Sequence, residues 1–237
     1  MQKVVFQSGE LKLSGTLALP EVVEPVAGVV LFHGMTSSEN SYAPLAESLA
    51  AQGIAGLAVS MRGHGDSEGG FATCTVAEAI NDGLAAYDFL TSHQAIDASR
   101  IGLLGSSVGA ILALITTEKR NVKSLVLRAP AVYTPEMLQL SMADTMTNEG
   151  SQFHEVNDLL KTPAGKAVAV YTGNLLVIAS ENDTIIPASV TNDYIGIADK
   201  AGRKELIVLQ GAPHNLSGTA WKDECNRIAS DWFASTL

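Results

Sequence analysis

The pentapeptide Gly105-Ser106-Ser107-Val108-Gly109 has the form G-x-S-x-G. Where a strand turns sharply into a helix, that spacing exposes the serine hydroxyl. It also aims the hydroxyl at the helix N-terminus, where backbone N–H groups can meet a developing negative charge. The chemistry implied is nucleophilic attack by Ser107 on an acyl carbon. The same residues would also serve as a serine N-cap in a glycine-rich turn, so the motif acquires meaning only from its flanks. Ile101-Gly102-Leu103-Leu104 reads as a strand before it, and Val108 to Thr117 as an apolar helical run after it. Gly105 and Gly109 fall where a Cβ would collide with neighbouring chain.

A serine hydroxyl is a poor nucleophile until a base takes its proton. In elbows of this kind an acid and then a histidine follow the serine along the chain. Of the five histidines, His33, His64, His93, His154 and His214, only His214 follows a strand downstream of a candidate acid. It sits in Gly211-Ala212-Pro213-His214-Asn215, after a strand ending at Gln210. The acid belongs at the end of the preceding strand, and Leu175 to Ala179 leads into Ser180-Glu181-Asn182-Asp183-Thr184-Ile185-Ile186-Pro187. Asp183 is the candidate acid and Glu181 the alternative. Ser107, Asp183 and His214 then form a triad carried on the carboxyl ends of three strands.

The elements that must position these groups alternate along the chain. Apolar runs at Gly28 to Phe32, Ile54 to Val59, Ile101 to Leu104, Leu125 to Leu127, Leu175 to Ala179 and Leu206 to Leu209 read as strands buried on both faces. Helical patterns follow them at Tyr42 to Ala51, Val76 to Leu90, Val108 to Thr117, Ser189 to Lys200 and Thr219 to Phe233. Lys3 to Gln7 and Lys12 to Leu19 flank Ser8-Gly9-Glu10 as an antiparallel hairpin at the sheet edge. This is an α/β pattern, a doubly wound and mostly parallel sheet with right-handed crossovers, in one domain spanning 1–237. One stretch of about forty residues, about 131–173, has no strand signal and is expected to insert as a small helical cap.

Composition excludes rather than identifies. With 25 acidic against 15 basic residues the formal charge is −10, which disfavours sequence-general nucleic-acid binding and attachment to an anionic membrane surface. No apolar run reaches the roughly 18 residues of a spanning helix, and the N-terminus carries no signal-peptide pattern. Cys74 and Cys225 are expected to be free thiols in a reducing cytoplasm. No cluster of Cys and His offers a zinc site, and no metal or cofactor is expected.

Taken together, His33-Gly34 after a strand, Arg62-Gly63-His64-Gly65-Asp66-Ser67 after the next, the Gly105 to Gly109 elbow, Asp183-Thr184-Ile185-Ile186-Pro187 and His214 resemble an α/β-hydrolase along the whole chain. Within that superfamily the chain resembles small bacterial serine esterases, including the cinnamoyl (feruloyl) esterase-like group with its short cap. The resemblance implies a sheet of about eight strands and an oxyanion hole built from the backbone N–H groups of Met35 and Val108. It leaves His33 and His64 as structural residues. Met35 stands where that group often has an aromatic residue. Met137, Met142 and Met146 fall in the cap beside Leu138, Leu140 and Phe153, and are expected to line an adaptable pocket. The function implied is a serine carboxylesterase acting on a small-molecule ester, as a monomer or homodimer. Thioesterase, peptidase and catalytically silent binding protein are the alternatives on the same fold.

Overall fold

The computed structural model describes the backbone of residues 1–152 and 158–237 and, among these, the side chains outside 148–152. Its strands are β1 (Gln2–Ser8), β2 (Leu11–Ala18), β3 (Val26–Phe32), β4 (Ala55–Val59), β5 (Ile96–Ser106), β6 (Ser124–Arg128), β7 (Asn174–Asn182) and β8 (Arg203–Pro213). They form one eight-stranded sheet in the order β1-β2-β4-β3-β5-β6-β7-β8. The β1–β2 and β2–β4 pairs are antiparallel and the remaining pairs are parallel. The mostly parallel sheet with an N-terminal hairpin is the one the sequence implies.

The helices are α1 (Ala43–Ala51), α2 (Val76–Ser92), α3 (Gly109–Lys119), α4 (Met142–Gln152), α5 (Pro163–Val170), α6 (Ala188–Ile197) and α7 (Thr219–Thr236). Alternation along the strands divides the core into two layers. Val30, Phe32, Leu103 and Leu127 meet α2, α3, α5 and α6 on one face. Val29, Leu31, Leu104 and Val126 meet α1 and α7 on the other. Both faces are covered, so the central strands are apolar throughout. Between β6 and β7, 3-10 turns at Met137–Gln139 and Leu159–Lys161 accompany α4 and α5, with no strand among the described residues. No described helix is long and apolar enough to cross a membrane.

Local chemistry sets the helix starts. Thr75 caps α2 reciprocally with Glu78: Thr75 Oγ1 accepts from the Glu78 N–H at 3.1 Å, and Glu78 Oε2 accepts from the Thr75 N–H at 2.8 Å. In α2, Asp82 is fully buried and holds the loop after β4, accepting from the Arg62 backbone N–H at 2.9 Å and from its guanidinium at 2.8 Å. Ser8 Oγ donates to the same carboxylate at 2.7 Å. Removing one partner would strand a buried charge. Asp82→Ala is therefore expected to cost about 3–5 kcal/mol, lowering Tm in a circular-dichroism melt by roughly 10 °C.

Two strands run further than their apolar runs indicate. β5 starts at Ile96, with a register shift against β3 between Val26 and Gly28. β8 reaches Pro213 through an irregularity opposite β7 between Ser180 and Asn182. β8 is an edge strand and only partly buried, so its hydrophobic signal is short even though its ladder is long.

Candidate active site

The elbow between β5 and α3 forces Ser107 into left-handed backbone, with φ +50°. Strain of this kind costs of order 1–3 kcal/mol and persists only where the surroundings hold it. Here the Ser107 N–H donates to Arg128 O at 2.9 Å, and Ser107 O accepts from the Ala131 N–H at 3.2 Å. The flanking glycines are required by contact. A Cβ on Gly105 would lie 2.3 Å from Gly109 O, and one on Gly109 would lie 2.6 Å from both Phe32 O and His33 O. The other described non-glycine residues with positive φ, Thr36, Ala129 and Leu216, all lie beside the same carboxyl edge of the sheet.

His214 follows β8 and Asp183 follows β7. His214 Nδ1 lies 2.8 Å from Asp183 Oδ2 and 3.0 Å from Oδ1. The carboxylate also accepts from the backbone N–H groups of Ile185 at 2.9 Å and Ile186 at 2.8 Å. Burial pushes its pKa up, but the His214 and backbone hydrogen bonds outweigh it, so Asp183 lies below the ordinary carboxylate range. Glu181, the alternative acid, instead accepts from the Gly211 N–H at 2.7 Å and buttresses the loop before His214. Ser107 and His214 line one cavity of about 480 Å³, while Asp183 stands behind the imidazole. No hydrogen bond joins Ser107 Oγ to His214 among the described residues, the loose geometry often found before substrate tightens a site.

The N–H groups of Met35 and Val108 donate to no acceptor among the described residues. The turn carrying Met35 is set by His33, whose Nδ1–H donates to Gly34 O at 2.7 Å while Nε2 accepts from the Met61 N–H at 3.1 Å. Burial pushes the His33 pKa down to about 3, so the ring stays neutral and both nitrogens hold backbone. His64 packs against it with ring centroids 4.9 Å apart. Its Nδ1–H donates to Arg62 O at 3.0 Å.

The methionines divide differently from expectation. Met35 and Met146 line the cavity. Met137 and Met142 do not: they lie in the core layer beneath α2 and α3. The cause is a tether at the start of α4, where the Met142 N–H donates to Cys74 O at 2.9 Å and draws that side chain inward. Met146 lies one turn further along the same face and overhangs the cavity, 41% exposed. Phe153 and His154 fall outside the described residues. The sequence reading missed Tyr42 and Arg128, which also line the cavity. The available signal for Arg128 was a cation at the end of an otherwise apolar strand.

Known proteins share this architecture. A family model described as Hydrolase_4, serine aminopeptidase S33, matches residues 23–163, more than half of the chain. An uncharacterized protein of Mycobacterium tuberculosis, Rv2307c, is 26% identical over 207 residues, covering 86% of this chain and 69% of that one. Among solved structures, Est1E of Butyrivibrio proteoclasticus with ferulic acid bound superposes with a TM-score of 0.77 at 17% identity, covering 98% of each chain. The Pyrococcus furiosus esterase Pf2001 gives a TM-score of 0.77 at 20% identity, covering 100% of this chain and 91% of that one. At such identities the structural likeness speaks to the α/β-hydrolase fold.

Proposed function

The chain belongs to the Hydrolase_4 (serine aminopeptidase S33) family of hydrolases, and within it we propose a serine carboxylesterase working through Ser107, Asp183 and His214. The observation that carries this reading is the strained Ser107 elbow sharing one cavity with an imidazole backed by a buried carboxylate. Ser107 Oγ attacks the ester carbonyl carbon as His214 Nε2 takes its proton. The carbonyl oxygen becomes an oxyanion received by the Met35 and Val108 N–H groups, each worth a few kcal/mol in the transition state. The intermediate collapses by breaking the bond to the alcohol oxygen, which leaves with the proton from His214. Water then gives a proton to His214 and its oxygen to the acyl carbon, releasing the acid and restoring Ser107.

The family description raises a peptidase reading, and the cavity's charges favour the ester. An aminopeptidase must hold a substrate ammonium, yet among the described residues the buried charge lining this cavity is the cation of Arg128. Asp183 is committed to His214, and Asp223 at the mouth is exposed.

The deciding experiment is labelling with a fluorophosphonate probe, followed by turnover of matched panels of p-nitrophenyl esters, acyl thioesters and aminoacyl p-nitroanilides. A Ser107 adduct with ester turnover dominant is expected. Dominance of the thioester or anilide panel would reassign the substrate bond, and absence of an adduct would leave a hydrolase-fold binding protein.

A further inference from the structure

The chain has six arginines. Arg62, Arg100, Arg120, Arg203 and Arg227 each pair with a carboxylate at 3.0 Å or less. Among the described residues Arg128 pairs with none, although at 5% exposure it is more buried than Arg62 at 8%. It ends β6 on the sheet face carrying α1 and α7, and its side chain lines the candidate active-site cavity. Nη2 donates to Ser180 Oγ at 3.1 Å and to Pro213 O at 3.4 Å, both neutral acceptors. Nε is buried with no acceptor among the described residues. A guanidinium offers five donors in a planar fork suited to bidentate pairing with a carboxylate.

Among the described residues, the neighbouring protein groups do not neutralise this charge. Burial pushes the Cys225 thiol up to about 11 and the Tyr42 hydroxyl up to about 12, so both are uncharged at neutral pH. Asp223 and Lys222 line the mouth as exposed groups of opposite sign, and neither is a buried partner for Arg128. A buried, unpaired cation is costly, and an anion that displaces water from it completes the missing half of the pair. One cation calls for a monoanion, which favours a carboxylate over a phosphate dianion.

We propose that Arg128 is a specificity-determining residue whose guanidinium receives a carboxylate carried by the ester substrate. The natural substrates are then monoesters of dicarboxylic acids or esters of carboxylate-bearing alcohols. This rests on the esterase reading and narrows its substrate class. The competing role is structural: through Pro213 O, Arg128 could only hold the loop that presents His214.

The test compares kcat/KM within matched pairs. On the acyl side, mono-p-nitrophenyl adipate, pimelate and suberate are set against p-nitrophenyl hexanoate, heptanoate and octanoate. On the alcohol side, 5-carboxypentyl butyrate is set against hexyl butyrate, followed by pH-stat. Wild type is expected to favour the anionic member of at least one pair by roughly 10- to 100-fold, and Arg128→Met to abolish that preference. Arg128→Lys, keeping the charge without the fork, should retain part of it and serves if the Met variant does not fold. Equal losses on both members of each pair would make Arg128 only a clamp on the His214 loop and overturn the proposal. So would a wild type with no anionic preference. Calorimetric titration of adipate into Ser107→Ala separates the two readings. Arg128-dependent adipate binding without turnover of any ester would sink the esterase reading and spare the anion site. Ester turnover with neither preference nor binding would do the reverse.

Discussion

Ser107→Ala is expected to lower kcat for a short-chain p-nitrophenyl ester by roughly 10⁵-fold, since removing one member of an interdependent triad costs nearly as much as removing all of it. The fold should survive. The Ser107 side chain is nearly buried, and its hydroxyl makes no hydrogen bond among the described residues, so its removal strands no partner. Alanine inherits the same φ of +50°, so the strain is unchanged. Thermal unfolding should therefore shift by no more than a few degrees, corresponding to less than about 1 kcal/mol. The pentapeptide contains a second serine, and backbone geometry separates the two. Ser106 ends β5 in the ladder, opposite Arg128, whereas Ser107 occupies the left-handed elbow. Ser106→Ala should cost less than tenfold. Comparable losses from the two serines, or Ser107→Ala retaining a tenth of wild-type turnover, would remove Ser107 as nucleophile.

How much of this was legible in the sequence follows the range of the interactions involved. The six apolar runs are strands because a sheet covered on both faces must be apolar at every position, a requirement printed locally in the residues. The elbow was legible because Gly105 and Gly109 answer contacts within a strand-turn-helix unit and with the adjacent β3. Side-chain partnership was harder to read. Glu181 and Asp183 stand two residues apart after one strand, and only the path of β8 decides that one meets Gly211 and the other His214. Met137 and Met142 shared a composition with Met146, yet a single backbone bond to Cys74 sends Met142 into the core. Arg128 was least legible, because its lack of a carboxylate partner among the described residues is a property of α1, α7 and β8 arriving together at the sheet edge. Nothing near it in sequence records that.

Asp183→Asn is expected to reduce kcat by about 10⁴-fold with ester binding little changed, because it corrupts the base without displacing it. The carboxylate accepts from His214 Nδ1–H and from two backbone N–H groups, which fixes the proton on Nδ1 and leaves the Nε2 lone pair for Ser107. An asparagine amide can keep the backbone bonds through its carbonyl oxygen while turning its NH₂ toward Nδ1. The imidazole must then accept there and carry its proton on Nε2, where a base is needed. The loss at neutral pH is not a titration effect. A carboxyl whose folded pKa lies below its unfolded value contributes stability in full above about pH 4, losing it only as pH falls through the folded value, and Asp183 is shifted in that direction. At pH 7 the wild-type group is therefore ionised, and the variant removes both its charge and its control of the tautomer. Glu181→Gln provides the contrast. A glutamine carbonyl can still accept from the Gly211 N–H, so kcat should change by less than tenfold. Were Glu181→Gln the more damaging substitution in single-turnover assays, the acid would have to be reassigned to Glu181, and the Asp183–His214 contact would be a loop fastening alone.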